Sequence, residues 1–197
     1  MKIQIIGNGS FGTFFKDFLS GHFEIVDEAD VVILAIPISA YDEVAQQHRG
    51  KVIVNVCSVQ SEANEIIAKY TKRGVGLHPL FGARTPKDIS NYNCIETYGD
   101  LDDDTVFTFI YKMGKITNIS SMTDIEHDKL MAKTHGASMM LAKQAKHVVD
   151  GVGDIPDKFV PNSFKLLRKF VETLEDMPAG TVEGILSNPY IEDNENI

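Results

Sequence analysis

Three observations predict an α/β protein. Short apolar, strand-like runs alternate with helically spaced segments from Lys2 to Ile119. A Gly-x-Gly-x-x-Gly loop, Gly7-Asn8-Gly9-Ser10-Phe11-Gly12, directly follows the first run, and strand signals vanish after Ser121. Together they describe a doubly wound, Rossmann-type parallel sheet over residues 1–121, followed by a small all-helical C-terminal domain over residues 122–197.

The elements follow in order. Lys2 to Ile6 is an apolar run that stops at Gly7. Phe14, Phe15, Phe18 and Leu19 recur at helical spacing and Gly21 ends that helix. Phe23 to Val26 reads as a second strand. Val31 to Ile36 is a β-branched run of the kind buried on both faces, closed by Pro37. A short helix over Tyr41–His48, a strand over Lys51–Val56, a helix over Ser61–Tyr70 and a strand over Gly74–Leu77 come next. A long loop spans His78 to Asn93, and loops of that length in compact domains are usually functional or disordered. Cys94–Thr97, Thr105–Met113 and Lys115–Ile119 add strand, helix and strand, with the carboxylates Asp100 to Asp104 placed to cap or precede that helix. Beyond Ser121, Thr123 or Asp124 caps a helix expected to run to Val149. Asn162 or Ser163 caps another through Leu174, and a last one runs to Ser187. Residues 191–197 are expected to fray.

The net charge of −9 argues against nucleic-acid binding, which needs a basic surface. An anionic cofactor remains compatible, because a local nest of backbone N–H groups holds phosphate inside an acidic protein. Cys57 and Cys94 lack metal-ligand spacing and read as free thiols in a reducing compartment. Met1-Lys2 leads straight into a strand with no cleavage-site pattern behind it, and the longest apolar run is too short to span a bilayer. A cytoplasmic protein with no membrane partner and no metal is expected.

Four segments carry chemistry. In the glycine loop, the three glycines allow a tight turn, close approach to a pyrophosphate, and close helix–strand packing. Asp27 lies 20 residues past Gly7, where an acidic side chain binds the adenosine ribose. A carboxylate there repels a 2′-phosphate and no Arg follows it, so NAD is favoured over NADP. Yet only Asp27 to Asp30 separate two strands, so the usual crossover helix is missing. Ser58, in Asn55-Val56-Cys57-Ser58-Val59-Gln60, stands at a strand's carboxyl end, where ligands bind in such sheets or where Ser caps a helix. His78, in Gly76-Leu77-His78-Pro79-Leu80-Phe81-Gly82, is placed to accept a proton from a substrate hydroxyl.

The glycine loop, Ala35-Ile36-Pro37, Cys57-Ser58-Val59, the His78 segment and Glu126-His127-Asp128 occur in the order and spacing of prephenate dehydrogenases. The chain resembles that family over roughly residues 1 to 135. The resemblance implies oxidation of prephenate by NAD or NADP with loss of CO2, on the route to tyrosine, or of arogenate to tyrosine itself. It implies that His78 bonds the ring hydroxyl and acts as base, that Ser58 orients His78 or the hydroxyl, and that Ile36 and Pro37 line the cofactor. The chain also departs from the family. Met139 stands where the family has a further His, with His135 one helical turn earlier as a substitute. Glu183 stands where an Arg binds a substrate carboxylate, leaving Arg84, Arg168 or Lys165 as candidates, and Gln60 stands where a Lys is common. These departures keep two alternatives open: a catalytically altered nucleotide-binding relative acting as sensor or interaction module, or a reductase of another small acid. So small a helical region is expected to pair its apolar faces in a homodimer.

Overall fold

The computed structural model describes residues 1–86, 92–175 and 177–191. The middle of the loop expected at His78–Asn93 and the tail expected to fray, from residue 192 on, lie outside the described residues. The chain divides into two compact units, Met1–Asp128 and Lys129–Ile197. The boundary thus lies at Asp128 rather than at 121, because hydrogen bonds described below tie His127 and Asp128 into the first unit.

The first unit is built on one seven-stranded sheet in the order β2-β1-β3-β4-β5-β6-β7. The strands are β1 (Lys2–Ile6), β2 (Glu24–Ile25), β3 (Val31–Leu34), β4 (Val52–Asn55), β5 (Gly74–Pro79), β6 (Asn93–Gly99) and β7 (Asn118–Ser121). β1 to β5 run parallel, as expected for β-branched strands buried on both faces. Strand alternation sends Ile3, Ile5, Val31, Ile33, Val52 and Val54 to one core, under α1 (Ser10–Ser20) and α4 (Asp104–Gly114). Val32, Leu34 and Ile53 go to the other, under α2 (Tyr41–Gln47) and α3 (Ser61–Ala68). Helices on both faces make the sheet doubly wound.

The sheet departs from the expected all-parallel form at β6, which runs antiparallel to β5. The Leu80 N–H donates to the Asn93 carbonyl, so the chain turns back on the same edge. A parallel neighbour would need a long crossover, usually a helix. β2 is shorter than the expected Phe23–Val26, and no helix joins it to β3.

The rest of the chain is helical, beginning with a helix that starts in the first unit and ends in the second. Thr123 and Glu126 form a reciprocal capping box that starts α5 (Asp124–Met131). The single helix expected to Val149 is interrupted by a π-helical turn, Ala132–Gly136, before α6 (Ala137–Val152). α7 (Asn162–Glu175) and α8 (Ala179–Leu186) follow near their expected positions. Among the described residues, no helix is long and apolar enough to cross a membrane.

Candidate active site

β1, β3, β4 and β5 share one direction, so the segments behind them gather on one edge of the sheet. Gly7 to Gly12, Ile36-Pro37, Cys57-Ser58 and His78 all lie along that edge.

The glycine loop has the shape a pyrophosphate needs. Gly7 sits at φ +126°, and a Cβ there would fall 2.1 Å from the Ala35 carbonyl oxygen. A Cβ on Gly12 would fall 2.5 Å from the Gly7 oxygen, so this glycine lets α1 pack onto the loop. At Gly9 a Cβ would meet nothing within 4 Å, leaving open space at the start of α1. That helix has no side-chain cap and no acidic residue in its first turn, so its first amides face this space without a built-in anion. The Asn8 Oδ1 accepts from Lys16 Nζ at 2.9 Å, which brings a cation to the loop. Ser10 is exposed and Phe11 half-buried. Phe11 stacks on Phe15 at 5.1 Å between ring centres, and Phe18 packs on Phe81 at 4.9 Å. The helix behind the glycine loop is thereby locked to the loop behind His78.

His78 closes β5. The β4–β5 register pairs Asn55 with Gly76, and continuing it sets His78 level with Cys57, beside Ser58. His78 is 5% exposed, and its Nδ1 lies 2.8 Å from Nε2 of His127. His127 Nδ1 lies 2.8 Å from Asp128 Oδ1. Both His127 and Asp128 are fully buried on α5. The Asp128 carboxylate accepts the backbone N–H of Gln60 at 2.8 Å and of Ser61 at 2.9 Å, and the Ser61 hydroxyl at 2.5 Å. It therefore caps α3 from a distant part of the chain, and Ser58 is not that cap. Burial alone pushes the Asp128 carboxyl up. Hydrogen bonds from His127, Ser61 and Gln60 outweigh this and hold it below its ordinary value, hence ionised.

That charge sets the tautomers along the chain. An ionised Asp128 accepts the Nδ1–H of His127, so His127 Nε2 carries a lone pair and accepts the Nδ1–H of His78. The basic nitrogen of His78 is then Nε2. The arrangement is an Asp-His-His relay able to orient His78 and to share a proton it picks up.

His127 and Asp128 belong to the Glu126-His127-Asp128 motif, but the sequence assigns them no role. The signal available is a titratable His-Asp pair directly behind a Thr123-x-x-Glu126 capping box. Cys57 is half-buried and donates its thiol to the Tyr41 hydroxyl at 3.0 Å; burial pushes the thiol up to about 11.

The remaining sequence candidates fall elsewhere. β2 ends at Ile25, opposite Ile3, and extending that register would set Asp27 opposite Ile5, two residues short of Gly7. Asp27 is exposed in the connection to β3, past the end of β2. Arg84 is exposed on a tight turn closed between Gly82 and Thr85. His135 lies in the π-helical turn, half-buried, and burial holds its imidazole below its ordinary value. Arg168 lies on α7 over the Phe164 ring, 5.1 Å from its centre. His135, Arg168, Met139 and Glu183 all belong to the second unit. Among the described residues, no group of three or more His, Cys, Asp or Glu side chains is gathered to hold a metal.

Prephenate dehydrogenase from Aquifex aeolicus, in complex with hydroxyphenyl propionate and NAD+, superposes with a TM-score of 0.69 at 15% identity, covering 95% of this chain and 82% of that one. The fold is that of the prephenate and arogenate dehydrogenases. Synechocystis arogenate dehydrogenase matches with a TM-score of 0.64 at 14% identity, over 95% of this chain and 84% of its own. In sequence, the chain is similar to a Methanocaldococcus jannaschii protein named probable arogenate/prephenate dehydrogenase, 23% identical over 194 residues. That match takes in 89% of this chain and 40% of the relative, so the chain spans about two fifths of that relative's length. No family model matches the sequence.

Proposed function

We propose that this chain is a nicotinamide-dinucleotide-dependent dehydrogenase acting on prephenate or arogenate, with His78 as base. The observation that carries the reading is the His78–His127–Asp128 relay, standing on the same sheet edge as the glycine loop. The similar proteins named above support the substrate class.

In this reading Gly7, Asn8, Gly9, Ser10, Phe11 and Gly12 hold the pyrophosphate, with Ile36 and Pro37 beside it. Bound nicotinamide would supply the hydride acceptor. His78 Nε2 takes the proton of the substrate's ring hydroxyl as the C–H bond on the same carbon breaks. Positive charge on His78 is then shared through His127 toward Asp128. Loss of CO2 from the opposite ring carbon makes the ring aromatic, and His78 returns the proton to the ring oxygen. Aromatisation drives the reaction, so the protein mainly supplies position and a proton acceptor. Ser58 orients the hydroxyl.

NAD is the preferred cofactor. The charge of Asp27, 20 residues past Gly7, disfavours a 2′-phosphate even without a direct bond to the ribose. Arg84, just behind the His78 segment, is the cation proposed for a substrate carboxylate. The second unit supports a homodimer: Leu141, Val148, Phe159 and Leu166 are more than half exposed, and Met139, Val171 and Leu186 line an apolar cavity of 720 Å³. Sedimentation at micromolar concentration is expected to show a dimer, and a monomer overturns that part.

Purified protein given prephenate and NAD+ is expected to develop absorbance at the reduced-nicotinamide band. Absence of turnover with both substrates, under both cofactors, would falsify the reading.

A further inference from the structure

Gln60 is fully buried, and its hydrogen bonds reach four elements, β4, β5, β6 and α5. Its backbone N–H holds Asp128 Oδ1 at 2.8 Å. Its side-chain Nε2 lies 2.6 Å from the Cys57 carbonyl, 3.1 Å from the Leu77 carbonyl and 3.2 Å from Asn55 Oδ1. Its Oε1 accepts from Asn55 Nδ2 at 2.9 Å and from the Thr97 hydroxyl at 2.8 Å. Cys57 directly precedes Ser58, Leu77 directly precedes His78, and Asp128 ends the relay. One residue thus grips the backbone before both side chains at the sheet edge through its side-chain amide, and through its backbone N–H anchors the group that orients one of them.

β5 is shaped to admit it. A Cβ on Gly76 would fall 2.7 Å from Gln60 Oε1, 2.7 Å from Asn64 Oδ1 and 2.4 Å from Thr97 Oγ1. The glycine of the Gly76-Leu77-His78 run therefore clears space for this network. Burying so many amide groups is costly unless each is bonded, and here they bond one another and the two carbonyls.

We propose that Gln60 is a positioning residue for His78 and Ser58: its amide fixes the two backbone segments that carry them, while its N–H fixes Asp128. This rests on the dehydrogenase reading above. Nε2 has two hydrogens for three acceptor oxygens, so an ammonium group is the natural substitute donor.

The test uses the full chain with NAD+ and prephenate. Gln60→Met keeps length and volume but removes both donors. It is expected to lower kcat about tenfold or more, because misplacement of this order is costly, while leaving the Kd for NAD+ within about twofold. Gln60→Lys restores the donors. It is expected to recover kcat to within about threefold of wild type, and its buried charge moves the acid limb of the kcat/KM profile to lower pH. Met113→Ala, in the core beneath α4, controls for instability by lowering Tm without changing kcat. Wild-type kcat in folded Gln60→Met overturns the proposal, as does an equal loss of kcat and NAD+ binding. Should Gln60→Met fail to fold, Gln60→Lys decides alone, and an unmoved acid limb overturns the proposal.

If the wild type oxidises neither prephenate nor arogenate, the dehydrogenase reading falls by itself. Positioning is then read from the low-field imidazole N–H resonances of the His78–His127 pair. They are expected in wild type and Met113→Ala and to be lost in Gln60→Met or displaced in Gln60→Lys. Their persistence unchanged in the Gln60 variants overturns the proposal.

Discussion

At one end of the sheet's carboxyl edge His78, His127 and Asp128 are at least nine-tenths buried and linked by contacts of 2.8 Å. At the other, Asp27 stands exposed beyond a strand of two residues. The first region buries charge and amide groups, which is unfavourable unless every one is bonded, and the neighbouring α3, α5, β4 and β5 all supply bonds. The second does without a crossover helix. The contrast teaches where precision is required. A proton acceptor must sit within a fraction of an ångström of its target. An adenosine distant from the reacting carbon contributes binding, which loops can provide with looser geometry.

Breaking the rigid end is expected to have the largest effect. His78→Asn removes the proton acceptor and Asp128→Asn removes the charge that sets the tautomers; each should lower kcat by about 10² to 10⁴-fold with NAD+ affinity nearly unchanged. Steady-state kinetics with calorimetric cofactor titration checks both, and a parallel loss of rate and affinity would move His78 out of the proton-transfer role.

The glycine loop divides the next effect between folding and binding. Gly7→Ala forces a Cβ onto the Ala35 carbonyl at positive φ, and is expected to cost about 3 kcal/mol or more of stability. Gly9→Ala adds a methyl in open space, so Tm should hold while the Kd for NAD+ rises about tenfold as the methyl meets the pyrophosphate. Thermal melts with and without NAD+ separate the two.

Acid sharpens the comparison further. Asp128 is held below its ordinary value in the fold, so its contribution to stability is present above about pH 4 and is lost as pH falls through the lowered value. Asp103, bonded to the Arg73 guanidinium and capping α4, is held down to about 2 and loses its contribution as pH falls through that value. Melts across the acid range should show Asp128→Asn less sensitive than wild type near pH 4. Equal slopes would show that Asp128 is not ionised in the fold.

The smallest effect belongs to the abbreviated end. Asp27→Ala should change kcat/KM for NAD+ less than about threefold, since an exposed side chain off the strand makes little specific contact. A tenfold loss would place Asp27 on the ribose and erase the contrast between the two ends.

Legibility in the sequence follows the same division. The glycine loop, the buried strands and His78 at a strand end are local patterns, and the structure has them where the residues indicate. The relay is not local: His127 is 49 residues from His78, and Asp128 is 67 from Ser61. Hydrogen bonds across such distances leave no periodicity to read. The reversal of β6 was equally hidden, because strand patterning does not encode direction. At Asp27 the spacing from Gly7 is legible, but the shortness of β2, which ends two residues before it, is not.

The burial of Cys57 bears on durability. With its thiol pushed up to about 11, Cys57 at neutral pH exists as thiolate in only roughly one molecule in ten thousand, and the thiolate is the form that alkylating agents and peroxides attack. A sulfur placed next to Ser58 would ordinarily be a weak point of the protein under oxidative stress. Kept protonated by its burial, it is chemically quiet, and the sheet edge carries a cysteine without becoming a redox sensor.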